Sequence, residues 1–163
     1  MINKYSICFL LLFYSTTVFA AQKGDIAPDC SAHYIDGKKT LDLAEHQNKV
    51  IYVDFWASWC PPCKQSFPNL NRLHNELKTQ GFEVIAINLD ENKNDAIEFL
   101  QNNPVDFSVA YDGEGKCPEA FKVMGMPASY IIDKKGIVRE VRLGFDEDEL
   151  QEIKTTVLTL LNE

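Results

Sequence analysis

The chain is short of positive charge: its 163 residues carry 16 Lys and Arg against 24 Asp and Glu, a formal net charge of −8. Nucleic acids and anionic membrane surfaces are both bound through clustered Lys and Arg, so neither is expected as a partner. An acidic, solvated surface that aids solubility is the ordinary use of this balance. Histidine is scarce as well. His33, His46 and His74 are the three present, they do not form a His-x₃₋₅-His pair, and they read as surface residues. A second Cys-x-x-Cys is also lacking, so a structural zinc ion would miss half its ligands, and no metal or other cofactor is expected. No apolar run approaches the roughly 20 residues of a membrane-spanning helix. Neither an internal repeat nor a low-complexity segment is present. With 45% hydrophobic and 25% charged residues, the composition suits one globular domain with a substantial core, expected as a monomer.

What is present begins with an address. Lys4 precedes an apolar run from Ile7 to Phe13, then small and polar residues lead to Val18-Phe19-Ala20-Ala21. This order reads as a secretory signal over residues 1–20, cut after Ala20 or Ala21, with a single domain over 21–163. An uncleaved anchor is the alternative. Cys8 lies inside the apolar run rather than after it, so acylation at the cleavage point is not supported. Loss of residues 1–20 removes one lysine and no acid, leaving −9.

Four of the five cysteines remain in the exported chain. Two of them, Cys30 and Cys117, are open to two readings. They could form a disulfide across 87 residues, worth about 4 kcal/mol of loop entropy, or each could be a small buried hydrophobe.

The other two organise the chain. Val50-Ile51-Tyr52-Val53 has the β-branched and aromatic character of a buried strand, whereas Phe67, Leu70, Leu73 and Leu77 mark one face of a helix. Cys60 and Cys63 fall at the junction, one helical turn apart, close enough to close a small ring. Unpaired N–H groups and the helix dipole there stabilise a thiolate, which makes Cys60 the expected nucleophile and Cys63 the resolving thiol. Pro61 and Pro62 fit a first helical turn, where a missing N–H costs little. Neither carries a proton, and no His stands between the cysteines to favour the thiolate, which tilts the pair towards a reductant. An inert disulfide is the bland alternative, disfavoured because exposed sulfurs at a helix start are reactive.

Around this junction the pattern predicts strands at 29–34 and 39–43 joined through Asp36-Gly37, a strand at 50–56 and a helix at 62–78 containing Pro68. Next come a strand at 82–89, a helix at 94–102, a strand at 107–111, a short helix at 118–124 and strands at 128–132 and 137–143. A last helix opens on a capping box of Asp146 and Glu149, with Leu150, Ile153, Val157, Leu158 and Leu161 facing the core. The architecture expected is an α/β sandwich with a mixed central sheet flanked by helices.

Val53-Asp54-Phe55-Trp56-Ala57-Ser58-Trp59-Cys60, with Cys63, Pro68 and Gly125-Met126-Pro127, resembles the thioredoxin superfamily. The N-terminal hairpin and signal, and the helix and strand inserted between Leu89 and Lys116, are similar to its extracytoplasmic TlpA/ResA-like redoxin branch. The resemblance implies a thioredoxin-like fold and a cis Met126-Pro127 bond facing a redox-active Cys60-Cys63 disulfide. It also implies that Trp59, Pro61 and Met126 form an apolar docking surface for clients. Asp54 matches a buried acid that takes a proton from Cys63; its apolar flanks agree with burial, which raises a carboxyl pKa. Two departures stand out: Ala86 replaces the lysine thioredoxins place near that acid, and Ser66 replaces the glutamate that ResA-like proteins carry.

The activity implied is thiol:disulfide exchange in the periplasm, most simply reduction of exported proteins with cysteine pairs, such as apocytochrome c or copper-site proteins. Electrons would come from a membrane donor of the DsbD or CcdA type. An oxidase or isomerase of the same fold is the alternative reading. A thiol peroxidase lacks its Thr-x-x-Cys signature here, residue 57 being Ala, and a copper-binding chaperone calls for wider cysteine spacing and a partnering His.

Overall fold

A computed structural model describes residues 21–163; the expected signal at 1–20, with Cys8, lies outside the described residues. Seven strands form one mixed sheet in the order β2-β1-β5-β4-β3-β6-β7. They are β1 (Ala32–Tyr34), β2 (Thr40–Leu41), β3 (Val50–Trp56), β4 (Phe82–Asn88), β5 (Ser108–Tyr111), β6 (Ala128–Ile132) and β7 (Val138–Leu143). The central β3, β4 and β5 run parallel, while β1, β2, β6 and β7 pair antiparallel. All seven residues of β3 are buried. That explains why it reads as a continuous apolar run rather than an alternation: helices or loops cover both its faces.

Among the described residues four α-helices flank the sheet: α1 (Pro61–Leu77), α2 (Lys93–Asn102), α3 (Lys116–Phe121) and α4 (Leu150–Leu161). The predicted stripe of α1 is buried as a unit, Phe67, Leu70, Leu73 and Leu77 each being 3% exposed or less. Pro68 sits in the same helix on its exposed side, where its ring displaces no packing. On one face of the sheet, Val50, Tyr52 and Trp56 pack with this stripe, with Ala96 and Phe99 of α2 and with Ile153, Val157 and Leu160 of α4. Ile51, Val53 and Phe55 point the other way, into a second cluster with Cys117, Phe121 and Tyr130. The two clusters follow from the period-2 alternation of a strand buried on both sides. Among the described residues, no helix is long and apolar enough to cross a membrane.

Some local expectations are corrected. The first hairpin is shorter than predicted, because chain flanking β1 and β2 is held by turns, with Gly37 at φ 72°. α3 starts earlier and stops at Lys122, which adopts φ 55° and ends the helix. The capping box does not close. Asp146 accepts from Asp148 N at 3.0 Å, opening a 3₁₀ turn, but the Glu149 carboxylate is drawn away to Arg142 at 2.8 Å. Leu160 joins the buried stripe of α4, leaving Leu150, Leu158 and Leu161 half-buried.

Nor are all three histidines on the surface. His33 is exposed, but His46 and His74 are buried. His46 is held between the Tyr34 hydroxyl at 3.0 Å and Glu83 Oε2 at 2.9 Å. His74 Nδ1 accepts from Val84 N at 3.4 Å. Each side chain is half apolar, so burial follows once its polar atoms find partners.

Candidate active site

The carboxyl ends of the parallel strands β3, β4 and β5 share one edge of the sheet, where open α/β sheets present their sites. β3 delivers the chain there, and Ala57-Ser58-Trp59 links it to α1. Cys60 is the N-cap of that helix, with Pro61 and Pro62 as its first residues. The prolines remove the first two donors of the helix, so Cys63 N–H is the first one available. It reaches Cys60 Sγ at 3.3 Å. Cys60 and Cys63 form a disulfide with Cα atoms 5.3 Å apart.

The sulfurs are less open than the sequence reading supposes. Cys60 is 3% exposed and Cys63 fully buried, because both belong to the cluster that includes Trp56, Ala57 and Phe67, with Met126 packed against it. Exposure belongs instead to the residue before: Trp59 is 67% exposed. Of the two cysteines only Cys60 reaches the surface, and narrowly, beside a large exposed aromatic side chain.

The Met126-Pro127 bond is cis. Pro127 enters β6, whose first residue, Ala128, pairs with Phe55 near the end of β3. The antiparallel pairing thus brings the Met126-Pro127 peptide to the edge where Cys60 begins. Pro61 is exposed and Met126 half-exposed at this edge.

Asp54 follows from the alternation of β3: it shares its face with Tyr52 and Trp56, the face that packs against α1 and Cys63. It is 1% exposed, and its Oδ2 has no hydrogen-bond partner among the described residues. Burial raises its pKa to about 8, since an unpartnered carboxylate is costly there. Its cross-strand neighbours are Ala86 and Ser129, and Ser129 Oγ accepts from the Tyr52 hydroxyl at 2.8 Å. The Ser66 hydroxyl donates to Cys63 O at 2.9 Å.

The Cys30 and Cys117 sulfurs are joined in a second disulfide, with Cα atoms 4.7 Å apart. One residue group at the site was not singled out from sequence. Asp90, 1% exposed, accepts from Ser58 N with both carboxyl oxygens at 3.1 Å, and from Ser58 Oγ at 3.1 Å. Asn88 Nδ2 donates to it at 2.8 Å. The available signal was an acid two residues past the apolar strand β4, level with the end of β3.

Comparison with known proteins agrees with this geometry. The redoxin family model matches residues 22–157. The thiol-disulfide oxidoreductase ResA of Bacillus subtilis (strain 168) is 30% identical over 142 residues, 85% of this chain and 79% of that protein. ResA of Bacillus thuringiensis subsp. konkukian is 30% identical over 140 residues, 85% of this chain and 80% of that one. A crystal structure of a candidate thiol:disulfide interchange protein, DsbE, from Chlorobium tepidum superposes with a TM-score of 0.83 at 39% identity. It covers 87% of this chain and 99% of the other. With a cysteine pair at the head of α1 and a relationship that runs nearly the full length of the described chain, the protein belongs to the redoxin family, as a thioredoxin-like thiol–disulfide oxidoreductase.

Proposed function

We propose that the protein is an extracytoplasmic reductase of protein disulfides that works through Cys60 and Cys63 without a further cofactor. One observation carries the direction. Cys60 Sγ accepts a single helix N–H, from Cys63, because the two preceding positions are prolines. A dithiol becomes an oxidant when its reduced form is strongly stabilised. With one donor rather than three, the thiolate form is stabilised less and the pair surrenders electrons more readily.

In the cycle, Cys60 thiolate attacks one sulfur of a client disulfide, and the other client sulfur leaves as a thiolate. The Cys63 thiol then gives its proton to Asp54 and attacks the Cys60 sulfur. The Cys60–Cys63 disulfide forms, the client's second sulfur departs, and two electrons have passed to the client. A carboxyl that titrates near 8 exchanges protons in the range where cysteine thiols do. Trp59, Pro61 and Met126 frame the approach, and the cis Met126-Pro127 loop offers main chain to an extended peptide.

The signal pattern at 1–20 and the second disulfide favour an oxidising compartment, the periplasm. Exported proteins with cysteine pairs, apocytochrome c or copper-site proteins among them, are the clients this reading assigns. A membrane donor of the DsbD or CcdA type then returns electrons to the pair.

The potential of the pair tests the direction. Comparable pairs span about −120 to −270 mV, and a value near the reducing end is expected. A value near the oxidising end, with the pair oxidised in cells, overturns the reductase in favour of an oxidase or isomerase. Separately, Cys63→Ser is expected to accumulate mixed disulfides with envelope proteins, identified by mass. Equal behaviour of Cys60→Ser defeats the exchange mechanism itself.

A further inference from the structure

We propose that Asp90 is a positioning residue for Cys60: it clamps the link between β3 and α1 and so sets the angle at which the cysteine sulfur meets the helix. This rests on the reading of Cys60 as the attacking sulfur. Only Ala57, Ser58 and Trp59 separate the end of β3 from Cys60. The link is closed by Cys60 N–H donating to Ala57 O at 3.1 Å and is held at its centre by the Asp90 carboxyl, which takes both the N–H and the hydroxyl of Ser58.

The clamp is itself anchored. Asp90 N–H donates to Asn88 Oδ1 at 3.1 Å while Asn88 Nδ2 returns a bond to Asp90, a reciprocal pair that leaves neither side chain free to rotate. Asn88 is fully buried at the end of β4 and lies opposite Trp56. Its carbonyl accepts from Asp112 N at 2.9 Å, and Asp112 Oδ2 accepts from Cys117 N at 2.6 Å. The bonds thus run from the buried half of the Cys30–Cys117 bridge to the residue two before Cys60. Buried and fully connected, such a network rigidifies what it touches.

Rigidity matters here because Cys60 Sγ has one helix donor, Cys63 N–H. A link free to shift loses that alignment, and small displacements of a reacting group are expensive.

Asp90→Ala is expected to slow reduction of a protein disulfide about tenfold in kcat/KM. It also moves the pH profile for alkylation of Cys60 by iodoacetamide upward, because the thiolate loses its donor. Asp90→Asn, which still accepts from Ser58 N–H, recovers most of that loss. Ser58→Ala deletes only the hydroxyl bond and is expected to shift the same profile in the same direction by a smaller amount, which serves if Asp90→Ala does not fold. A wild-type alkylation profile in Asp90→Ala or, where that variant does not fold, in Ser58→Ala, whatever its Tm, overturns the proposal. So does an equal downward shift in Asp90→Asn and Asp90→Ala, which marks an effect of charge rather than position. If wild-type activity survives Cys60→Ser, the reading of the site fails instead, independently of Asp90.

Discussion

Asp54 lies directly across from Ala86 in the parallel pairing of β3 with β4, so a buried carboxyl meets a methyl group where the neighbouring strand could have offered a cation. Among the described residues no counter-charge lowers its pKa, and burial sets it near 8.

That value couples stability to pH. The folded pKa is raised above the unfolded one, so the favourable term is complete below about pH 3.8 and is lost as pH rises through 8. At pH 7 the loss is on the order of 4 kcal/mol. Asp54→Asn removes the term. In thermal melts, the Tm of the variant relative to wild type should climb from about pH 4 to about pH 8 and then level off.

The same substitution should cost activity. On the proposed role of Asp54 as proton acceptor, resolution by Cys63 is expected to slow about a hundredfold, the usual scale of general base catalysis. Stopped-flow fluorescence with a preformed mixed disulfide separates this step from the first attack, which should be nearly unchanged.

Glu83 behaves in the opposite sense. Burial alone would raise its pKa, but hydrogen bonds from His46 and Lys49, at 2.9 and 2.7 Å, override that and hold it at about 2. The resulting stability is present above about pH 4.5 and is lost as pH falls towards 2. Discounted for its partial solvation, the group is worth roughly 1–2 kcal/mol. Glu83→Gln should lower Tm at neutral pH and show a smaller further loss on acidification than wild type.

Opening the second disulfide releases a loop spanning 87 residues of sequence separation. The Cys30→Ser/Cys117→Ser double variant should lose about 2–4 kcal/mol in urea unfolding, most of it through a freer unfolded chain. An unchanged midpoint would show that the bridge contributes no net stability.

Trp59, at 67% exposure, offers the largest apolar surface beside Cys60. Trp59→Ala is expected to lower kcat/KM about tenfold for a protein client, since aromatic anchors dominate interfaces. Reduction of a small aromatic disulfide that contacts only the sulfur should change less than about twofold. Equal losses on both would assign Trp59 to packing instead.

The features legible in the linear chain are those with a short physical range. Strand β3 shows itself through β-branched and aromatic residues, and α1 through apolar residues at helical spacing, since each signal lies within a few residues. Cys60 and Cys63 are readable for the same reason: one helical turn brings them together whatever the remaining chain does. Asp54 is a middle case, with burial suggested by its flanks but its face assigned through the alternation of β3 against α1.

Contacts between distant segments lie beyond that reading, which offers a Cys30–Cys117 bridge as one of two alternatives without deciding it. Joining Cys30 to Cys117, seating His46 on Glu83 across 37 residues and bringing Asp90 to Ser58 across 32 all require the sheet to be assembled in its particular strand order. The near-burial of Cys60 belongs with them, because it depends on what packs over the sulfur rather than on the helix beneath it. Composition and spacing specify which groups can react. Strand order and packing set their surroundings, because burial and long-range hydrogen bonds exist only once distant parts of the chain meet.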